Sequence, residues 1–290
     1  VTCDMAMEDV HFRRVWLDPG EVGWRAAAAA LSDLAAMAAR PVAALLSLAV
    51  AEADARSGLA AGVAAGVREA CEAVGASVVG GDLTRSMGPL VLDVVVLGRA
   101  PRPLTRGGAR PGDEVWVTGG LGAAAAAVVA WERGETPSAK LREAYARPRP
   151  RVEEAAWLAG AGGLHAGLDL SDGLGGDAGH VAAASGVAVR LEARRVPVAG
   201  GVRGVAGSDE DALGLALSGG EDFELLLVAE PGVMETLSAP FEARFAIPLT
   251  RVGDVFEGEG VHLDRGDGTG AVPLARGGFS HFAPAGEGER

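Results

Sequence analysis

Hydrophobic and polar positions run along this chain in two rhythms. Residues 1–7, Val-Thr-Cys-Asp-Met-Ala-Met, predict an opening strand. Asp18-Pro19 then marks a helix start, with Asp as the cap and Pro in the first turn. Trp24, Leu31, Leu34 and Met37 follow at helical spacing until Arg40-Pro41 stops the run. A buried strand is expected over 42–50 and a second helix over 56–74. Gly58, Gly62 and Gly66 share one face of that helix and suit close packing on a sheet. Residues 76–79 and 90–97 read as β-branched strands flanking a Gly-Gly-Asp turn at 80–82.

The rhythm breaks over Arg99 to Gly112, rich in Pro, Arg and Gly, which sets the expected boundary between a domain of residues 1–105 and one of 106–290. Beyond it come a strand at 114–118, a helix at 121–133 and a basic connection, Arg147-Pro148-Arg149-Pro150-Arg151. A helix at 152–160, a strand at 164–170, a helix at 173–185 and a strand at 187–191 follow. A Gly-rich loop, a strand at 223–229, a helix at 232–237 and strands near 250–255 complete the pattern, with a frayed end over 284–290. This alternation, without a Rossmann fingerprint or an internal repeat, predicts an α+β protein of two α/β domains.

Composition narrows the function. The 290 residues carry 26 basic and 39 acidic side chains, a formal charge of −13, which argues against a nucleic-acid partner. No apolar run approaches the ~20 residues of a membrane span. Two cysteines, Cys3 and Cys71, offer no disulfide framework and point to a cytoplasmic setting. Asn and Gln are absent and there is one Lys, a bias that also accounts for the Ala26–Ala30 run without a functional reading. Lys140 lies in a polar helical stretch, so neither a P-loop nor a protein-kinase lysine is available.

The carboxylates carry the chemistry. Asp4 lies in the first strand, Asp33 in the apolar Leu-Ser-Asp-Leu-Ala-Ala-Met stripe, and Asp82 after Gly80-Gly81. Asp169 and Asp172 frame Ser171 at a strand-to-helix junction, and Glu221-Asp222 follow Ser-Gly-Gly. Carboxylates facing apolar interiors need compensation, and with almost no Lys a hard divalent cation supplies it. Adjacent glycines let a phosphate approach the backbone, and Arg106 and Arg110 add charge. The pattern predicts a metal-dependent, phosphate-handling enzyme with its site between two domains.

Several strings resemble the thiamine-monophosphate kinases. Thr2-Cys3-Asp4-Met5 with Glu8, Val10, His11 and Phe12 resembles that family's opening motif. So do Leu31–Met37, Gly80–Thr84, Gly107–Asp113, Asp169–Leu174, Ser218–Leu225 and the closing Gly278-Phe279-Ser280-His281-Phe282, in order along the chain. The resemblance implies the aminoimidazole-ribonucleotide-synthetase-like fold, with N-terminal sheets pairing across a homodimer. It implies transfer of phosphate from ATP to thiamine monophosphate, aided by several Mg2+ ions. By motif, Asp4, Asp33, Asp82, Asp169 and Asp172 would hold metal, helped by the Thr2 hydroxyl and the Cys3 main chain, and Gly81, Asp82, Arg106 and Ser171 would hold the nucleotide. Asp4, Asp82 and Arg106 would stand closest to the transfer, and His11, Glu221 or Asp222, and Phe279 would meet the substrate. His165, His180 and His262 are left as structural or surface residues.

Three departures from the family pattern stand out. Cys3 replaces a Thr, Asp9 replaces a Gly, and the Gly-Asp-Asp-Ala segment expected ahead of the first strand does not appear in this sequence. That segment would add a magnesium ligand and a strand of the dimer barrel. Selenophosphate synthetase, aminoimidazole ribonucleotide synthetase and a non-catalytic thiamine-phosphate binder are the alternatives.

Overall fold

The computed structural model describes residues 1–274. The first strand, β1 (Thr2–Met7), leads through a loop into helix α1 (Pro19–Ala36). The predicted start of α1 is a full capping box: the Asp18 carboxylate accepts the Glu21 N–H at 2.8 Å, and the Glu21 carboxylate accepts the Asp18 N–H at 3.0 Å. β2 (Arg40–Ala51), α2 (Leu59–Ala73), β3 (Ser77–Ser86) and β4 (Val91–Arg99) follow. The strands form one sheet in the order β1-β4-β2-β3, parallel between β2 and β3 and antiparallel elsewhere.

Two local expectations are corrected in this half. Gly80-Gly81-Asp82 is not a turn but the middle of β3, beside a bulge at Ala44/Leu45 of β2. The glycine face of α2 packs on α1 rather than on a sheet. A Cβ at Gly66 would fall 1.8 Å from the Gly20 carbonyl oxygen, so the two backbones touch there and only glycine fits.

No helix or strand occupies residues 100–113. The second half builds β5 (Glu114–Thr118), α3 (Ala123–Glu132), α4 (Ala139–Ala146), α5 (Val152–Ala161) and β6 (Leu164–Asp169), then α6 (Leu174–Ser185) and β7 (Ala188–Glu192). The expected Gly-rich loop instead contains two helices, α7 (Val202–Ala206) and α8 (Asp209–Ser218). Ser208 caps α8 by accepting the Asp211 N–H at 3.0 Å, a start signal that the surrounding glycines obscure. β8 (Leu225–Ala229), α9 (Val233–Phe245), β9 (Leu249–Phe256), β10 (Gly260–Asp264) and β11 (Ala271–Pro273) close the described chain. The second sheet runs β11-β10-β7-β9-β5-β8-β6. Every residue of β5 and β8 is buried, as expected of central strands covered on both faces.

Helix α1 joins the halves. It packs on α2 and the first sheet on one side and on α5, β6 and β8 on the other. The Ala26–Ala30 run, read from sequence as compositional bias, has a structural use. Ala27, Ala28 and Ala30 are fully buried, and small side chains let both sheets close on one helix. Gly66→Ala is expected to destabilise the fold by about 1–3 kcal/mol through overpacking. Gly160→Ala, in α5 with open space around its Cβ position, should stabilise it by ~0.5–1 kcal/mol. Denaturant melts of both variants check this pair.

Candidate active site

One stripe of α1 faces a cavity of about 310 Å3 at the junction of the halves. Val22, Arg25, Ala26 and Ala29 line it at helical spacing, and Asp33 lies one further turn along. Asp4, Met5 and Ala6 of β1, the loop residues Val10, His11 and Phe12, and Ser171, Asp172, Gly219, Glu221 and Phe223 complete the wall. The volume is at the low end of small-molecule sites.

Asp4, Asp33 and Asp169 come together from β1, α1 and β6, close enough to repel one another. The Thr2 hydroxyl donates to the Asp33 carboxylate. Burial, then repulsion from Asp33, pushes the Asp4 carboxyl up to about 6 and the Asp169 carboxyl up to about 7. For Asp169, only 3% exposed, a shift of this size is roughly 4 kcal/mol against the ionised form. One buried and two half-buried carboxylates held close without a lysine, all offering hard oxygen donors, suit a divalent cation such as magnesium. Asp172 lies beside them with Asp177 and His180, their ligand atoms all within 4.8 Å of one another. Asp177 is buried and its carboxyl is pushed up to about 8, chiefly by desolvation, while it accepts the Asp172 N–H at 3.0 Å.

The structure separates Glu221 from Asp222. Glu221 lines the cavity and pairs with Arg25. Asp222 turns instead to the start of α3, where both carboxylate oxygens accept the Gly122 N–H at 2.9 Å. Asp222 is therefore a fixture of the α3 terminus rather than part of the cavity wall. Ser171 and His11 do line the cavity. His11 Nδ1 accepts the Met7 N–H at 3.0 Å, which leaves Nε2 to carry the proton of the neutral ring. Asp9, where the family resemblance expects Gly, has φ +65, a conformation that costs a side-chain residue about 1 kcal/mol.

Other expected site residues stand apart from this cavity. Asp82 pairs in register with Ser47 of β2, which pairs with Asp93 of β4, which pairs with Met5 of β1. Three strand spacings put Asp82 about 14 Å from β1. Gly81 lies on the same outer strand, where a Cβ would fall 1.8 Å from the Leu46 carbonyl oxygen. The Cys3 side chain is exposed and its thiol donates to Asp93 at 3.1 Å; the metal contact that the resemblance implies for Cys3 runs through its main chain, next to Asp4. Arg106 is exposed in the segment between the sheets and does not line the cavity. Phe279 lies outside the described residues.

Sequence reasoning missed Arg25, Asp177 and His180. A lone cation at 25 in an Ala-rich stripe that continues through Ala29 to Asp33 was the available signal for the first. Asp177, five residues after Asp172 in a Gly-rich helix start, was the signal for the second.

Two domains meeting at a buried carboxylate site define an AIR synthase related protein. The N-terminal domain of that family matches residues 1–100 and its C-terminal domain residues 110–264. Thiamine-monophosphate kinase of Methanopyrus kandleri is 38% identical over 247 residues, 84% of this chain and 75% of that protein. The Halobacterium salinarum enzyme of the same name is 38% identical over 89% of this chain and 83% of its own. The crystal structure of thiamine-monophosphate kinase from Stenotrophomonas maltophilia superposes with a TM-score of 0.83 at 36% identity, covering 91% of this chain and 84% of that one. AaThiL complexed with AMPPCP and TMP gives 0.82 at 31% identity, covering 97% and 86%. Hydrogenase maturation protein HypE, at 19% identity and a TM-score of 0.72, shares the fold. The chain belongs to the thiamine-monophosphate kinase family.

The raised carboxyls give a signed pH dependence. Their protonated forms lend stability in acid that is lost as pH rises through about 6 for Asp4 and about 7 for Asp169. Cation binding needs the ionised forms, so the rise in thermal midpoint on adding Mg2+ should be larger at pH 8 than at pH 5.5. Equal gains at the two pH values in a scanning-fluorimetry titration would contradict the site.

Proposed function

We propose that this protein transfers the terminal phosphoryl group of ATP to thiamine monophosphate, giving ADP and thiamine diphosphate. The observation that carries this reading is the convergence of Asp4, Asp33 and Asp169 beside a cavity of about 310 Å3 whose other wall holds Glu221, His11 and Phe223. Relatives that carry the activity in their names match most of the chain, and AaThiL has been solved with AMPPCP, an ATP analogue, and TMP.

The acceptor nucleophile is an ionised phosphate oxygen. It attacks the γ-phosphorus as the bond to the β–γ bridging oxygen breaks, so no proton has to be removed and no general base is required. The difficulty is to bring two polyanions together in line. Magnesium held by Asp4, Asp33, Asp169 and Asp172 would supply that screening when bound. Glu221 offers the organic cation of the acceptor a carboxylate, and Phe223 with Val10 offers it an apolar wall. Ser171 and Arg106 are read as nucleotide contacts and Phe279 as a ring-stacking partner.

A second copy of the chain belongs to this reading. Asp82 and Gly81 sit on the outer strand of the first sheet, far from Asp4 within one chain. The face of that sheet turned away from α1 exposes Met5, Val42, Leu45 and Leu97. Pairing of two such faces would cover this apolar surface, the arrangement the family resemblance implies. Two unpaired cysteines fit a cytoplasmic enzyme, and among the described residues no helix is long and apolar enough to cross a membrane.

Chromatography of a reaction with ATP, Mg2+ and thiamine monophosphate is expected to show thiamine diphosphate. Asp169→Asn should lower turnover by about 10²-fold or more while keeping the fold. Absence of product with the acceptor still bound would favour the non-catalytic binder. Sedimentation of the wild type should give a dimer, and Leu45→Asp should shift it to monomer. A wild-type monomer would remove the second copy from the reading.

A further inference from the structure

The cavity wall is made mostly of carboxylates and apolar side chains, and Arg25 is the one arginine or lysine among the described residues that line it. Arg25 is 5% exposed, and a buried guanidinium on a helix packed with alanines is costly unless every contact it makes is used. Its guanidinium carbon lies 3.8 Å from the centre of the Tyr145 ring, and Nη1 donates to the Tyr145 carbonyl oxygen at 2.6 Å. Through Nη2 it pairs with Glu221. Two of the three contacts belong to one residue of α4, so the cation is fixed independently of the carboxylate it holds.

Glu221 needs holding. Gly220, Glu221 and Phe223 all have positive φ, +67, +60 and +49, a conformation that side-chain residues rarely adopt. Asp222, between them, is anchored to the Gly122 N–H. Backbone bonds from Glu221 N to Ser171 O at 2.8 Å and from Phe223 N to Leu170 O at 2.9 Å tie the loop to the strand-to-helix junction. Among the described residues, the Glu221 carboxylate is tied down by its ion pair with Arg25.

We propose that Arg25 is a positioning residue for the phosphate acceptor. It holds Glu221 on its strained loop with the carboxylate turned into the cavity, where that carboxylate meets the positively charged organic part of thiamine monophosphate. The proposal rests on the kinase reading above and adds to it the residue that sets acceptor affinity.

Steady-state kinetics of the full chain test it, with thiamine monophosphate and ATP varied separately in wild type, Arg25→Lys, Arg25→Met, Glu221→Gln and Arg25→Lys/Glu221→Gln. Lysine keeps the buried charge but loses the flat fork that reaches Tyr145 and Glu221 together. Arg25→Lys should raise KM for thiamine monophosphate on the order of tenfold and Arg25→Met about 10²-fold, with KM for ATP and kcat within about threefold. In the Glu221→Gln background the lysine change should add less than about twofold, because its effect passes through Glu221. Equal rises in both KM values, or an undiminished lysine effect on top of Glu221→Gln, would overturn the positioning role. If Arg25→Met does not fold by circular dichroism, Arg25→Lys and the double variant decide the question alone. A wild type that makes no thiamine diphosphate would defeat the kinase reading instead.

Discussion

The structure depends on burying one helix from both sides. Helix α1 carries alanine where most helices of its length carry leucine, and this lets the first sheet, α2 and the second sheet all close on it. Such a helix gains little from any single side chain, so its stability comes from backbone proximity and from a well-formed start. The capping box at Asp18 and Glu21 and the glycine contact with α2 supply both. The same helix brings Arg25, Ser32 and Asp33 to the seam between the halves. Fold and site thus share one constraint: Val22, Arg25 and Ala26 on the seam-facing stripe of α1 are buried by construction.

Desolvation explains the electrostatics of the site. Asp4, Asp33 and Asp169 arrive from a strand, a helix and a strand of the other sheet, and each is held by its own element rather than by the others. Burial and repulsion outweigh the relief that Arg25 gives Asp4, and the Asp4 and Asp169 carboxyls respond by holding protons more tightly. A site of this kind is poor in structural salt bridges and open to a cation and a phosphate. The contrast lies close by. Glu224, two residues after Asp222, is fully engaged by Arg151 and by the Thr118 hydroxyl at 2.6 Å, and it buttresses the second sheet. One short motif therefore supplies a cavity carboxylate, a helix anchor and a structural ion pair.

Much of this was legible in the chain. The helix start at Asp18-Pro19, the strand at Glu114–Thr118, the Pro and Arg break near residue 100 and the strand-to-helix junction around Ser171 follow from short-range chemistry. The Gly80-Gly81-Asp82 string reads locally as a turn because glycines usually punctuate strands. In the structure Gly81 is needed inside β3, where the neighbouring backbone comes too close for a Cβ. Helices α7 and α8 were missed for the same reason, since glycines at 200, 201, 204 and 207 hide the Ser208 cap. Long-range pairing, which no local signal reports, overrode the local preference at β3.

For the site, the sequence determined the inventory: clustered acids beside glycines, no usable lysine, and motifs in the order of one enzyme family. These are properties of residue type and spacing, and they survive without coordinates. Only the tertiary structure decided which of those acids meet. It put Asp4, Asp33 and Asp169 together, moved Asp82 three strands away, turned Asp222 to the start of α3 and set Glu221 against Arg25. The reason is physical. Burial and charge–charge distance depend on how separate elements pack across the seam, and Asp33 and Asp169, 136 positions apart in sequence, become neighbours only when one helix is enclosed by two sheets.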